Sequence, residues 1–352
     1  MLENLTHQVA GGGELSREQA TLAVEALTAE ALSATVKADF LTALAHKGET
    51  PGEIAAFAAA LRKKSIRPPL EEGWRERREI LDIVGTGGDR VGTFNISTTA
   101  ALVCAAAGVA VAKHGNRAVT SKSGSADVLA ALGIPVELSP EEAAHSLQEH
   151  HFAFLFAPKF HPAFQHIAPA RKLCAERGQR TIFNLLGPLL NPMQPTAMLV
   201  GVARAELCTP LALVLQFLGV RRGMVVTGSV PATKPGEPAL SIDELSPLGD
   251  NTVTEFYQER AFAESILSPV NFPLQLVRLD DLLGGDAAEN ATITRGILRG
   301  SDRGPRRDAV LLNAGAGLFV AGRVKSLVEG WELAGETIDC GQAADKLREL
   351  GG

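Results

Sequence analysis

Glycine, threonine and aspartate fill residues 85–89, directly behind the apolar run Ile80 to Val84, in a segment that continues as RVGTFNIST to residue 98. Glycine has a conformational cost, so a cluster of it behind a strand calls for a use. One use is to let backbone N–H groups close around an anion. The spacing matches neither the Walker A loop nor the G-x-G-x-x-G fingerprint, which disfavours mononucleotide hydrolysis and hydride transfer.

Two further polar clusters follow predicted strand and helix boundaries. KHGNR (113–117) comes directly after a predicted strand, and TSKSGSAD (120–127) opens the next predicted helix, as NIST (95–98) opens the helix before. Ligands of parallel α/β sheets bind at the carboxyl ends of the strands, and helix N-termini favour anions. Each cluster alone is also typical of an ordinary turn or cap. Together they predict a ligand that carries more than one phosphate.

Candidate residues for a metal and a carboxylate lie further along the chain. Asp243 and Glu244 are adjacent in SIDELS (241–246), and paired carboxylates suit Mg²⁺ beside a substrate phosphate, although such a pair is also common on solvated surfaces. Arg171 could bind a carboxylate through two hydrogen bonds, or could lie on a helix surface. His161 precedes a proline and either lines a pocket or serves the structure. No Ser/His/Asp set and no zinc spacing is evident among the eight histidines.

Composition limits the function classes. The 352 residues include 45% apolar types, and the formal net charge is −6, which argues against a general nucleic-acid partner. The four cysteines lie far apart and match no metal spacing, so they predict reduced thiols in the cytoplasm. The N-terminal residues lack a signal-peptide pattern, and the longest apolar run, Ala100 to Ala112, is too short to span a bilayer.

The first part of the chain is expected to be entirely helical. Ser16 with Gln19 forms a capping-box pattern, and Thr50, Pro51 and Glu53 supply an N-cap, a first-turn proline and an acid. We predict a small helical domain over 1–75, used for packing or dimerisation and joined by helices from about 158–190.

Strands and helices alternate after the charged connector 67–79, which predicts an α/β domain over 76–352 with a mainly parallel central sheet. The predicted strands are 80–84, 109–112, 135–138, 151–156, 198–202, 223–227 and 252–256, and the predicted helices are 98–107, 124–132, one from 140, and 206–218.

The motifs GTGGD, NIST and KHGNRAVTSKSGSADVLAALG, followed in order by FHPAF, APARKLCAERGQRTIFNLLGPLLNP and DELS, resemble the signature of the anthranilate phosphoribosyltransferases. The resemblance covers nearly the whole chain. It implies transfer of phosphoribose from phosphoribosyl pyrophosphate (PRPP) to the amine of anthranilate in tryptophan biosynthesis. It also implies a homodimer joined through the helical domain.

The resemblance further implies three sets of binding residues. Anthranilate would contact Gly85, Asn116 and Arg171, and Mg²⁺, with two ions per active site, would be held by Ser97, Asp243 and Glu244. Lys113 would stabilise charge, and no residue would act as general acid or base. PRPP would be bound by Gly85, Gly88, Asp89, Thr93, Asn95, Ile96, Ser97, Thr98, Lys113, His114, Gly115, Asn116, Arg117, Ala118, Val119, Thr120, Ser121 and Ser125.

The sequence departs from the family pattern at two places, and two other function classes remain as alternatives. The approach to the carboxylate pair, TGSVPATKPGEPALSIDE (227–244), is long and proline-rich with Ile242 in place of leucine, and AVTS (118–121) replaces a run of small residues. A nucleoside phosphorylase would use inorganic phosphate without Mg²⁺. A non-catalytic nucleic-acid-binding relative should have lost the glycine and Asp-Glu motifs and gained basic surface, whereas this chain keeps the motifs and is acidic.

Overall fold

Helices alone form the N-terminal part of the computed structural model, which describes residues 1–118, 122–232, 239–258 and 261–351. Both predicted capping boxes are present, at Ser16 with Gln19 and at Thr50 with Glu53. These caps satisfy N–H groups that a helix start leaves without partners. The N-terminal helices are α1 (Leu2–Ala10), α2 (Arg17–Thr28), α3 (Ala34–Lys47), α4 (Pro51–Lys63) and α5 (Glu72–Glu76).

A single sheet follows, with eight strands among the described residues, in the order β3-β2-β1-β4-β5-β7-β8 and with β6 paired to β5. The strands β1 to β5 pair in parallel, whereas β6, β7 and β8 are antiparallel. The prediction of a helical N-terminal part and a mainly parallel sheet is therefore confirmed. The strands are β1 (Ile80–Gly85), β2 (Ala110–Gly115), β3 (Phe152–Phe156), β4 (Ala197–Gly201), β5 (Arg222–Val230), β6 (Leu240–Ile242), β7 (Asn251–Tyr257) and β8 (Ala261–Leu267).

Helices cover both faces of the sheet. They are α6 (Ile96–Ala106), α7 (Ser125–Ala131), α8 (Pro140–His150), α9 (Ala157–Phe160), α10 (Ala168–Glu176), α11 (Phe183–Leu186), α12 (Cys208–Phe217), α13 (Leu279–Leu282), α14 (Ala287–Leu298), α15 (Pro305–Val320), α16 (Leu327–Asp339) and α17 (Gln342–Glu349). Short 3-10 helices occupy Pro162–His166, Gly187–Leu190, Ala205–Leu207 and Pro269–Asn271. No helix among the described residues is both long and apolar enough to cross a membrane.

One apolar core joins the N-terminal helices to one face of the sheet. Phe40 and Phe57 belong to the same buried cluster as Cys174 of α10, Val200 of β4 and Leu215 of α12. In this cluster α10 packs on α3 and α12 packs on α4. The segment 158–190 therefore does pack on the N-terminal helices. The domain limits at residues 75 and 76 stay a prediction.

Two details of the predicted elements are wrong. Residues 135–138 form no strand; Pro135 lacks an N–H donor, and Val136 is buried against the core without a partner strand. The strand predicted to end at Ala112 continues to Gly115 because residues 111–115 pair with 152–156 of β3. Lys113, His114 and Gly115 therefore lie inside β2 and not in the loop behind it.

Helix α15 supports the loop that follows β6. The Asn313 side chain accepts a hydrogen bond from the Leu245 N–H at 3.0 Å and donates to the Leu245 carbonyl at 2.9 Å. In turn, α15 is packed tightly against α16 at a pair of glycines. A Cβ built on Gly330 would lie 2.4 Å from the Gly315 carbonyl oxygen, so the helices can cross here only without side chains.

We predict that Gly330→Ala destabilises the protein by about 1–3 kcal/mol, because the new methyl group must push two helix backbones apart. Gly335→Ala on the same helix is the matched control. Its Cβ would meet only side-chain atoms at 3.6 Å or more, so it should stabilise the protein by about 0.5–1 kcal/mol through helix propensity. Urea unfolding measures both changes. Equal effects of the two substitutions would contradict the close helix crossing.

Candidate active site

The carboxyl ends of β1 and β4 meet the Asp243–Glu244 pair. Gly85 and Gly201 are opposite each other in the sheet, and the Gly87 N–H donates to Asp243 Oδ2 at 2.6 Å. A Cβ on Gly85 would lie 2.2 Å from Asp243 Oδ2, and one on Gly201 would lie 1.6 Å from the Asp243 carbonyl oxygen. Glycine is therefore required at both strand ends for the loop to approach this closely.

Glu244 faces the start of helix α6. The Ser97 N–H, in the first turn of that helix, donates to Glu244 Oε1 at 3.2 Å. Helix N-termini carry partial positive charge, so this contact favours a carboxylate. The structure thus brings Ser97, Glu244 and Asp243 together, as the sequence predicts for a metal site.

The two carboxylates carry more negative charge than their surroundings offset. Burial, followed by the nearby charge of Asp89, raises the pKa of Asp243 to about 7. Burial and the charge of Asp243 raise the pKa of Glu244 to about 8, against the opposing effect of Lys113. Such a pair fits a divalent cation, which would replace protons as the source of positive charge.

The protein alone supplies few metal ligands at this place. Across the described ranges, no three or more His, Cys, Asp or Glu side chains are arranged to hold a metal ion. The carboxylate pair and the Ser97 hydroxyl would leave positions for water and for substrate oxygens. This is the usual situation for Mg²⁺, which keeps several waters and binds through one or two carboxylates together with substrate phosphates.

Lys113 is buried beneath the glycine loop. Its Nζ donates to the Ile83 carbonyl of β1 at 2.6 Å, so the side chain reaches across from the neighbouring strand. Burial lowers the pKa of Lys113, while the charges of Asp82 and Glu244 act to raise it. The ammonium group is thus held at the strand ends between two carboxylates.

Sequence reasoning missed Asp82 and Asn191, which lie under this lysine. Asp82 is fully buried, and Asn191 Nδ2 donates to Asp82 Oδ2 at 2.8 Å and to the Ala112 carbonyl at 2.7 Å. Burial raises the pKa of Asp82 to about 6, with Lys113 acting in the opposite direction. A charged residue within an apolar strand was the available signal for Asp82.

The loop between β1 and α6 is shaped by left-handed backbone and anchored at its far end. Gly87 and Gly88 have φ angles of 73° and 86°, which side chains rarely allow. Thr93 pairs with Leu283, and Asn95 Oδ1 accepts a hydrogen bond from Asn290 Nδ2 at 2.9 Å. The predicted residues Gly85, Gly88, Asp89, Thr93, Asn95, Ile96, Ser97 and Thr98 therefore form one continuous loop and helix start.

The second predicted loop folds onto the start of α7. Asp127 Oδ2 accepts from the Ala118 and Gly124 N–H groups at 2.8 and 3.0 Å, and a Cβ on Gly115 would lie 2.2 Å from Ser125 Oγ. Ser125 Oγ also donates to the Asn116 carbonyl at 3.4 Å. Arg117 forms ion pairs with Asp127 and Glu137. Residues Val119, Thr120 and Ser121 lie outside the described residues.

A row of ring contacts runs from His114, near the end of β2, to Arg171 on α10. His114 Nε2 and His161 Nε2 are 3.2 Å apart, and His161 packs edge-on against Phe164 with ring centroids 5.5 Å apart. Phe164 contacts Phe183, over which the Arg171 guanidinium lies at 5.3 Å. Arg171 is exposed and lies at the far end of this row from His114. No contact joins it directly to Gly85 or Asn116 in the part of the chain that the structure describes.

Comparison with known proteins agrees with this geometry. The α/β-domain model of a glycosyl transferase family matches residues 77–344, and the helical-bundle model of the same family matches residues 3–65. The chain therefore belongs to this glycosyl transferase family.

Its relatives narrow the class further. An anthranilate phosphoribosyltransferase from Petrotoga mobilis is 44% identical over 99% of this chain and 96% of its own. The crystal structure of the Thermus thermophilus enzyme covers 98% of both chains with a TM-score of 0.87 and 44% identity. The Saccharomyces cerevisiae enzyme in complex with PRPP and Mg covers 99% of this chain and 96% of its own, with a TM-score of 0.83 and 28% identity. Another structure of the yeast enzyme, with 27% identity, a TM-score of 0.82 and coverage of 99% and 96%, contains 4-fluoroanthranilate. Within its family, the chain belongs to the anthranilate phosphoribosyltransferases.

The buried histidines predict a specific pH dependence of stability. Burial is the main cause that lowers the pKa of His114 to about 3 and of His161 to about 4. In the unfolded chain both histidines take up a proton near pH 6.5, whereas in the folded protein they stay neutral to a much lower pH. Their contribution to the free energy of unfolding is therefore fully present above pH 6.5 and is lost as the pH falls towards 4. Each histidine should lower the free energy of unfolding by about 2 kcal/mol when the pH falls from 7 to 5.

His161→Phe tests this dependence. The variant should lose about 2 kcal/mol less than the parent between pH 7 and pH 5, measured by urea unfolding at each pH. Any constant destabilisation by the substitution cancels in this difference. Parallel stability curves for the two proteins would show that His161 is not held neutral by burial.

Proposed function

We propose that this protein transfers the 5-phosphoribosyl group of PRPP to the amine of anthranilate and releases pyrophosphate, as its family membership implies. In this reaction the bond from C1 of the ribose to the pyrophosphate oxygen breaks, a bond from C1 to nitrogen forms, and the amine loses one proton. The observation that carries the proposal is the buried, charge-rich pair Asp243–Glu244 at the strand ends, beside the glycine loop and Lys113.

PRPP would be bound by the two loops described above. Backbone N–H groups of Gly88 and Asp89 would donate to phosphate oxygens, because the Thr86 and Gly87 N–H groups are already bonded to Gly201 and Asp243. The positive end of α6 would favour the same anion. Lys113 would stabilise the charge that develops on the departing pyrophosphate. Its buried position makes this interaction stronger than it would be in water. The loop from Asn116 to Ser125, with residues 119–121, would complete the pocket.

Ser97, Asp243 and Glu244 would hold Mg²⁺, and we propose two ions per active site. The yeast relative solved with PRPP and Mg supports the use of this metal. When bound, the metal would supply positive charge that offsets the negative charge of the pyrophosphate group. The loop that carries the two carboxylates is fixed by Asn313 through Leu245, so its position does not depend on the metal alone.

Anthranilate would bind with its carboxylate at Arg171 and its ring towards Gly85 and Asn116. The yeast complex with 4-fluoroanthranilate supports an aromatic acceptor site in this fold. An arylamine is unprotonated at pH 7, so no strong general base is required before attack. Catalysis then consists of positioning and charge stabilisation.

Two broader features of the molecule remain proposals. We propose a homodimer through the N-terminal helices, where Leu22 exposes 45% of its surface. We also propose a cytoplasmic location, since all four cysteines are free thiols, which suits a reducing compartment. Sedimentation that finds only single chains at micromolar concentration would contradict the dimer.

Replacing the carboxylate pair by Asp243→Asn with Glu244→Gln should reduce turnover by at least about 10³-fold, because the metal loses both charged ligands. The assay follows the decay of anthranilate fluorescence with PRPP and Mg²⁺, and EDTA should stop it. In the absence of metal, the free energy of unfolding of the double variant should be at least as large as that of the parent protein, since two repelling buried charges are removed. Unchanged Mg²⁺-dependent turnover would refute the metal assignment. Release of the base from a nucleoside by inorganic phosphate, unaffected by EDTA, would instead favour a phosphorylase.

Arg171→Gln should raise the KM for anthranilate by about 10–100-fold, because a charge-assisted pair with the carboxylate is lost. The KM for PRPP should change little. Lys172→Gln is the matched control, since Lys172 neighbours Arg171 on α10 and, among the described residues, pairs only with exposed Glu176. If both variants change the two KM values equally, Arg171 does not bind the acceptor.

A further inference from the structure

A further cavity lies at the amino ends of the parallel strands, opposite the strand ends that form the active site. It has a volume of about 700 Å³ and is lined by the connector before β1, by α5 and by residues that precede β4 and β5. Thr196 lines it, whereas the active site begins at Gly201 at the other end of β4. A strand rises about 3.3 Å per residue, so about 16 Å of sheet separates the two places. The cavity is thus distinct from the PRPP site.

Three arginines converge on this cavity. Arg67, Arg75 and Arg221 all line it. Burial lowers the pKa of Arg75, and the charges of Arg67 and Arg221 act in the same direction. Arg75 is fixed in place because it donates to the Met193 carbonyl at 2.6 Å and to the Gln194 carbonyl at 2.5 Å. Because these carbonyls are neutral, they do not offset the positive charge of Arg75 beside the cavity.

Three acidic residues lie nearby, and in the described structure only Glu79 is paired with one of these arginines. Glu79 pairs with Arg221 at 2.9 Å, but Arg221 Nε is buried without a hydrogen-bond partner. Glu72 and Glu76 also line the cavity, and neither forms an ion pair with these arginines in the described structure. The side chain of Arg67 is exposed and has no hydrogen bond or ion pair with any described residue. The donors that remain are the guanidinium of Arg67 and Nη1 of Arg221, because Nη2 of Arg221 already donates to Glu79 and its Nε is buried.

We propose that this cavity binds a phosphate dianion, free or as a small monoester, between Arg67 and Arg221, with Arg75 as a fixed wall. A dianion suits three neighbouring guanidinium groups better than a carboxylate, and guanidinium geometry matches phosphate oxygens. Pro68 and Pro69 supply apolar surface for the organic part of an ester. The volume lies within the range of small-molecule sites.

Equilibrium dialysis with inorganic phosphate and with phenyl phosphate tests the proposal on the full-length protein. Phosphate can also enter the active site, so the comparison is between variants. Arg67→Gln with Arg221→Gln should remove one bound phosphate per chain, or weaken that binding at least about tenfold. Arg77→Gln is the control, because Arg77 is an exposed arginine at the end of α5 that does not line the cavity. It should leave binding unchanged.

The outcomes separate the possible ligands and protect the test against misfolding. Equal binding of both probes indicates an inorganic phosphate site, and tighter binding of phenyl phosphate indicates a monoester site. Anthranilate turnover of the double variant should stay within about twofold of the parent, which shows that it folds and that the active site is separate. If the double variant does not fold, Arg67→Gln alone carries the test. No saturable binding, or equal stoichiometry and affinity in parent and variant, would overturn the proposal.

Discussion

The burial of two adjacent carboxylates against the ends of parallel strands is the constraint on which the site depends. Asp243 and Glu244 can reach β1 and β4 only because Gly85 and Gly201 carry no side chain. Their charge is then met from three directions, by the Gly87 N–H, by the start of α6 at Ser97 and by Lys113. Burial nevertheless raises the pKa of both carboxyl groups, so these partners offset only part of the charge, and a bound cation would offset the rest.

Beneath the loops, a polar cluster replaces the apolar packing that is usual between parallel strands. Lys113 lies above Asp82, and Asn191 joins Asp82 to the carbonyl of Ala112 in β2. Burying such groups is costly unless each has partners, and removing one member leaves the others uncompensated. One oxygen of Asp82 has no hydrogen-bond partner within the described structure, so the cluster is not fully satisfied. A polar cluster with an unsatisfied atom is expected where function, and not stability, decides the residues.

The sequence was informative where reactive or ligand-binding residue types and turn or helix-cap residues lie together in one short segment. The glycine loop, the helix starts at residues 96 and 125 and the carboxylate pair are all local patterns. The glycine loop also lies where a strand end was predicted. Asp82 and Asn191 were missed because their partnership spans 109 residues of chain, which no local pattern records. The strand at 135–138 failed because a short apolar run cannot reveal whether a partner strand is available. Lys113 was placed in a loop because a charged residue is usually solvated. Its partners, the Ile83 carbonyl and the carboxylates of Asp82 and Glu244, come from other segments of the chain and are visible only in the structure.

The shared apolar core has a consequence for how the chain is made. Helices α3 and α4 bury Phe40 and Phe57 against α10 and α12, which a ribosome produces on the order of 100 residues later, a delay of roughly 5–20 s. During that interval the nascent N-terminal helices expose an apolar face that nothing yet covers. The order of synthesis therefore couples the final packing of the first 65 residues to completion of the sheet.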